Sequence, residues 1–186
     1  MFALILTILS VSFAVGQSHA SDAGASLGVL LERINKLEEL LNDIPIANLQ
    51  DKGLCHVSYQ FKCFTILTFD SQITRAEGEK ACWGLGARLG NVYSKEHKKM
   101  IEDHVIALEV DANLWLGMSE VPATQEVFMS FGSKVPYNID WHPGWPALQS
   151  DRTLMALAIR PSPVSTNKGF FNAHDRDTTN GVLCEV

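Results

Sequence analysis

Four cysteines, Cys55, Cys63, Cys82 and Cys184, follow an apolar leader, which restricts the chain to folds that two covalent cross-links can staple. Residues 2–15 form an apolar run interrupted only by Thr and Ser, shorter than the roughly 20 residues a membrane-spanning helix needs. It reads as a secretory signal peptide over residues 1–16, with cleavage as late as residue 20, although the basic stretch that usually opens such a leader is absent. Export to an oxidising compartment lets an even number of cysteines pair without leaving a free thiol. Four cysteines allow three connectivities, and sequence alone does not choose among them. A hairpin over Val57 to Lys62 would set Cys55 opposite Cys63 and leave Cys82 for Cys184. That second bridge would close a loop of about 100 residues, contributing about 4.7 kcal/mol in the chain-entropy account.

The leader carries no charged side chain, so the formal charge of −6 belongs to the mature chain. An acidic balance argues against nucleic acid as a partner. Roughly 165 residues remain after cleavage, enough for one ordinary core and an appendage. With no second apolar run and no Asn-x-Ser/Thr sequon, the expectation is a secreted, extracellular chain with no membrane span and no N-glycan.

The appendage is legible as a helix. Leu27, Leu30, Ile34, Leu37, Leu41 and Ile44 alternate three and four apart, the a/d seam of a coiled coil. Arg33 and Glu38 fall at g and the following e, the positions that pair neighbouring strands of a parallel coil, and mixed Leu and Ile at the seam predicts a homotrimer over a dimer. The seam is under three heptads, so the same spacing also fits an amphipathic helix lying on its own domain. Residues 21–50 are therefore assigned to a coiled-coil oligomerisation helix and hinge, broken at Pro45, and residues 51–186 to a globular domain.

Within that domain Phe61 to Phe69 is aromatic and β-branched, as a strand requires. Thr74-Arg75-Ala76-Glu77 forms a capping box that opens a helix with Ala81, Cys82 and Leu85 on one face, ended by Gly86. A second helix is expected from Lys95 to Leu108, burying Met100, Ile101, Val105 and Leu108. Short strands follow, at Trp115-Leu116-Gly117-Met118, Leu154 to Ile159 and Gly181 to Glu185. Asp140 to Thr153, with Pro143, Gly144 and Pro146, has almost no periodicity and reads as a long surface loop, the kind of segment that carries binding. Helices first and strands second indicate an α+β domain.

From Leu54 to Val186 these residues resemble the C-type lectin-like family. Cys55 and Cys63 resemble the extra hairpin bridge of its long form; Thr74 to Cys82, Gly86-Ala87-Arg88-Leu89, Trp115-Leu116-Gly117, Asp140-Trp141 and Gly181-Val182-Leu183-Cys184-Glu185 follow in the family's order. The resemblance implies a C-type lectin-like domain with two helices, two small antiparallel sheets and a long loop, preceded by the N-terminal coiled-coil helix. Tetranectin is similar in pairing such a helix with this domain and in the context of Lys62-Cys63-Phe64.

Sugar-binding members hold one Ca²⁺ through a Glu-Pro-Asn type triplet in the long loop and a Trp-Asn-Asp triplet in the next strand, and calcium takes six to eight oxygen ligands. Here the triplets read Trp145-Pro146-Ala147 and Phe171-Asn172-Ala173. Arg152 stands near the family's further acid, and Leu154 and Arg176 stand where an inner disulfide would align. The expectation is that the calcium site is lost, with no cofactor and no metal. The candidate ligand surface is Trp145, Gln149, Asp151, Asn172, His174 and Asp175, where Trp145 either stacks on a ligand or plugs the loop and Asn172 retains one amide. His174-Asp175-Arg176-Asp177 also fits a surface turn with self-paired charges.

Two helical histidines, His97 and His104, read as solvated helix charges, because zinc needs closer spacing and further donors. Gly24-Ala25-Ser26-Leu27-Gly28 fits a nucleophile elbow only as a string, since no strand precedes the serine. No nucleophile–base pair supports an enzyme. The sequence therefore points to recognition, of a glycan or microbial surface or else of an extracellular protein or matrix ligand.

Overall fold

The computed structural model describes residues 54–162 and 164–186, together with Glu32 as an isolated helical position. The leader, the heptad seam from Leu27 to Ile44 and the hinge lie outside the described residues. In chain order the elements are β1 (Val57–Tyr59), β2 (Lys62–Thr74), α1 (Arg75–Gly84), β3 (Arg88–Leu89), α2 (Lys95–Ala107), β4 (Ala112–Val121), β5 (Glu126–Phe128), β6 (Leu154–Ile159), β7 (Gly169–Ala173) and β8 (Thr178–Glu185). No helix among the described residues is long and apolar enough to cross a membrane.

The strands form one eight-stranded mixed sheet in the order β1-β2-β8-β4-β6-β7, with β3 paired to β8 and β5 to β4. This corrects the expectation of two separate antiparallel sheets. Leu114 and Trp115 pair parallel with Gly181 and Val182, and that junction merges an N-terminal ladder with a C-terminal one.

Side-chain alternation sends the sheet's two faces to two clusters. Leu114, Leu116, Met118, Met155, Leu157, Phe170 and Leu183 pack with Ile101 and Val105 of α2. Trp115, Ala156, Val182 and Cys184 pack with Cys82 of α1. The two helices thus serve opposite faces. Cys55 bonds to Cys63 across the β1–β2 hairpin, and Cys82 bonds to Cys184, fixing α1 to β8. The capping box is present in both directions, Thr74 accepting from Glu77 N–H and Glu77 accepting from Thr74 N–H. Gly86 ends the helix at φ +72°, a left-handed conformation that suits glycine.

The second helix departs from its expected pattern. His97 and Lys98 are buried with Ile101 and Val105, whereas Met100 and Leu108 are exposed. His97 is therefore no solvated charge: its ring stacks on Tyr59 at 4.6 Å and packs 4.2 Å from Phe64, its Nδ1 accepts from Tyr93 N–H, and its Nε2 has no partner. Burial drives its pKa down to about 4. His104 is half-buried and stacks on His56 at 4.7 Å. Lys98 stays charged because it bonds Glu102 at 2.6 Å and Asp140 at 3.0 Å, the latter clamping the start of the long loop.

At the end of β8, Glu185 is a buried carboxylate. Burial alone would raise its pKa, but Lys62, Tyr93, Arg88 and the Asn91 amide all donate to it and hold it at about 2. One side chain thereby ties β2, β3 and the segment before α2 to the last strand.

Candidate functional site: the long loop and its seat on the sheet

The long loop is seated on β7 by backbone pairing. Phe170 N–H donates to Asp140 C=O and His142 N–H donates to Phe170 C=O. Gly169, at φ +123°, makes this approach possible: a Cβ there would lie 2.7 Å from Asp140 O and 2.8 Å from His142 N. Trp141 bridges to Phe170 and packs against the first cluster.

Beyond this seat the loop is held by Asn172. Its side chain is fully buried in the middle of β7. Its Oδ1 accepts from Ala147 N–H at 2.8 Å, and its Nδ2 donates to Glu120 Oε2 at 2.8 Å, Ala147 C=O at 2.8 Å and Arg152 C=O at 3.1 Å. Three acceptors around one atom identify it as the nitrogen. The amide is saturated by the protein, joining the loop at two points to β7 and, through Glu120, to β4.

Glu120 was not singled out from the sequence. It is 2 % exposed and its Oε1 has no partner. Burial raises its pKa, and the Asn172 hydrogen bond opposes this. In β4 Met118 and Glu120 alternate with exposed Ser119 and Val121, which places the acid on an inward position that its residue type did not mark.

Arg152 completes the arrangement. It bonds Asp177 at 2.8 Å, and its guanidinium lies 5.5 Å from the centre of the Trp145 ring, a cation–π contact. The ion pair spans the same two segments that a bridge between positions 154 and 176 would join. Leu154 instead packs against the second cluster, while Arg176 is exposed.

The six candidate surface residues fall into separate groups. Trp145 is half-buried and tilted against Phe171, ring centres 5.6 Å apart. Asn172 lies beneath the surface, enclosed as described. Asp151 and Asp175 are exposed beside His174, with Asp151 at 3.4 Å from its Nε2 and Asp175 at 2.5 Å from its Nδ1. Asp177 also accepts from His174 N–H, and His174 Nδ1 accepts from Arg176 N–H, which closes the turn on itself. Gln149 is exposed and only its backbone is engaged, accepting from Arg152 N–H.

The sequence matches no family model, and no relative is found among curated proteins. Solved structures do match in shape. The C-type lectin domain of murine dendritic cell inhibitory receptor 2, in complex with N-glycan, superimposes with TM-score 0.52 at 21% identity over 70% of this chain and 94% of that one. A calcium-independent type II antifreeze protein gives 0.52 at 18% identity over 70% and 89%. The mouse scavenger receptor C-type lectin carbohydrate-recognition domain gives 0.52 at 17% identity over 70% and 91%. The fold is that of a C-type lectin-like domain.

Within this fold the question is whether the loop and β7 suit a hard divalent ion. Calcium takes six to eight oxygens. The carboxylate bonded to Asn172 is that of Glu120, whose near oxygen faces an N–H donor, and the amide oxygen of Asn172 is occupied by Ala147 N–H. Arg152 brings a positive charge to the same segment. No group of three or more His, Cys, Asp or Glu among the described residues could hold a metal ion. Two N–H donors, of Ala147 and of the Asn172 amide, and the Arg152 guanidinium thus face the position where the resemblance puts an ion.

Proposed function

We propose that the protein is a secreted recognition module that binds saccharide without calcium and is joined into homotrimers by the coiled-coil helix over residues 21–50. One observation carries the calcium-independent part: the Asn172 amide is consumed by Ala147, Glu120 and Arg152. The loop is thus braced by protein groups at the place where the resemblance puts an ion. Glycan complexes among the structural neighbours support a sugar ligand, since dendritic cell inhibitory receptor 2 was solved with N-glycan and SPL-1 with GlcNAc. The two disulfides suit an oxidising, extracellular setting. Single lectin-like sites bind weakly, and presenting three on one stalk raises avidity through effective concentration. The role is recognition and not catalysis. The pairing with a trimerising helix, as in tetranectin, belongs to this proposal.

A second reading has its own support. Leu148, beside the braced Ala147, is 74% exposed and offers an apolar contact to an extracellular protein or matrix ligand. A glycan array probed with the full-length mature chain, in calcium and in EDTA, tests the first reading. Equal sugar binding in both buffers is the expected result; binding abolished by EDTA would overturn it, and a blank array would transfer weight to the protein ligand.

A further inference from the structure

Past the second cluster, the α1-side face of β4, β6 and β7 carries a cleft of about 250 Å³ lined by Asn113, His142, Trp145, Ala158, Arg160 and Phe171. Strand alternation puts it there. Asn113 and Ala158 are register partners, Ala158 pairs on its other side with Gly169, and Ala156 pairs with Phe171. The small side chain of Ala158 forms the floor, Gly169 lets the loop bearing His142 lie against its edge, and α1 packs over β8, β2 and β3. The volume lies just under the roughly 300 Å³ at which pockets for drug-sized ligands begin, a size for one ring.

The walls are chemically divided. Trp145 and Phe171 stand at 56° to each other and form an angled aromatic side. The polar side is fixed by hydrogen bonds. Arg160 donates to Ala112 C=O, Ile159 C=O and Asn113 Oδ1, with Asp111 3.9 Å from its Nε, so most of its N–H donors are engaged within the protein. Asn113 Nδ2 makes no hydrogen bond among the described residues. His142 Nδ1 lies 3.0 Å from Pro143 C=O; a carbonyl only accepts, so Nδ1 carries the proton and Nε2 is left as an acceptor.

We propose that this cleft is the saccharide subsite, taking one neutral pyranose ring whose C–H face stacks on Trp145 and Phe171. Its hydroxyls accept from Asn113 Nδ2 and donate to His142 Nε2. Aromatic faces paired with one donor and one acceptor match a ring that is apolar on its faces and hydroxylated at its rim. The ligand is neutral because the guanidinium N–H groups are turned to Ala112, Ile159 and Asn113 and no other Lys or Arg lines the cleft. The subsite rests on the reading of calcium-independent sugar recognition, and it lies on the sheet face instead of at the Asn172 position.

The test combines a glycan array in EDTA with tryptophan-fluorescence titrations of methyl α-mannoside, methyl β-galactoside and N-acetylglucosamine. Wild type is compared with Ala158→Leu, which fills the cleft, and His142→Ala, which removes a half-buried acceptor that belongs to neither core cluster. The expected result is sugar binding by wild type, weakened at least about tenfold in each variant, with the thermal midpoint of His142→Ala unchanged. Affinities within twofold of wild type in both variants would overturn the cleft and leave calcium-independent recognition standing. Wild-type binding confined to acidic glycans would overturn the neutral ring. No sugar binding by wild type, or binding lost in EDTA, would overturn the underlying reading.

Discussion

Replacing Asn172 with alanine removes the brace between the long loop and the sheet, and the structure sets the cost. Four groups lose their partner: Ala147 N–H, Ala147 C=O, Arg152 C=O and Glu120 Oε2. An unpaired buried polar group costs about 1–3 kcal/mol. The two loop carbonyls are only partly buried, so the low end applies, and about 1 kcal/mol for each group gives about 4 kcal/mol. Asn172→Asp does not rescue the loss, because it retains the acceptor for Ala147 but sets a second carboxylate against Glu120 where a donor stood. Urea unfolding followed by tryptophan fluorescence, with both disulfides intact, measures the change. A loss under 1 kcal/mol for Asn172→Ala would refute the claim that this amide holds the loop.

Further predictions concern acid stability and the loop seat. His97 is held at about 4, below its usual 6.5, so its contribution is present above pH 6.5 and declines as pH falls towards 4. His97→Phe should flatten the stability–pH curve across that window in pH-dependent urea titrations. Glu185 is held at about 2 instead of 4.5, a difference of about 3 kcal/mol; this stability is present above pH 4.5 and lost as pH falls to 2. Glu185→Gln should lower stability at pH 7 and reduce the pH dependence of unfolding below pH 4.5. Gly169→Ala should destabilise by more than about 1 kcal/mol in thermal unfolding, since φ +123° and the Asp140–His142 backbone both oppose a Cβ.

Much of the fold was legible because its signals are local. The capping box at Thr74, the stop at Gly86 and the hairpin opposing Cys55 and Cys63 each depend on a few neighbouring residues. The single mixed sheet was not legible, because the parallel pairing of Trp115 with Val182 joins segments far apart in the chain and leaves no periodic trace. In α2 the apolar residues misled: Met100 and Leu108 suggested the buried face, while the actual face runs His97, Ile101, Val105, a spacing of four hidden by a polar residue type. Lys98 is buried only because Asp140, distant in sequence, supplies its partner.

The candidate site divided along the same line. The family's second triplet located Asn172 in the strand after the long loop, but the residues that saturate it arrive from β4 and from a segment without periodicity. Glu120 looked like an ordinary strand acid. The cleft beside Trp145 depends on a small residue at 158, and an alanine announces nothing in a sequence until the sheet register sets it between Asn113 and the long loop.

Amide hydrogen exchange at Ala147 tests the central claim most directly, because that N–H donates to Asn172 and reports whether the loop is fastened. Measured with 10 mM calcium chloride and with EDTA, its protection should agree within about twofold, as a brace made of protein groups requires. A tenfold or greater loss of protection in EDTA would show that a bound cation fastens the loop, and would contradict the account.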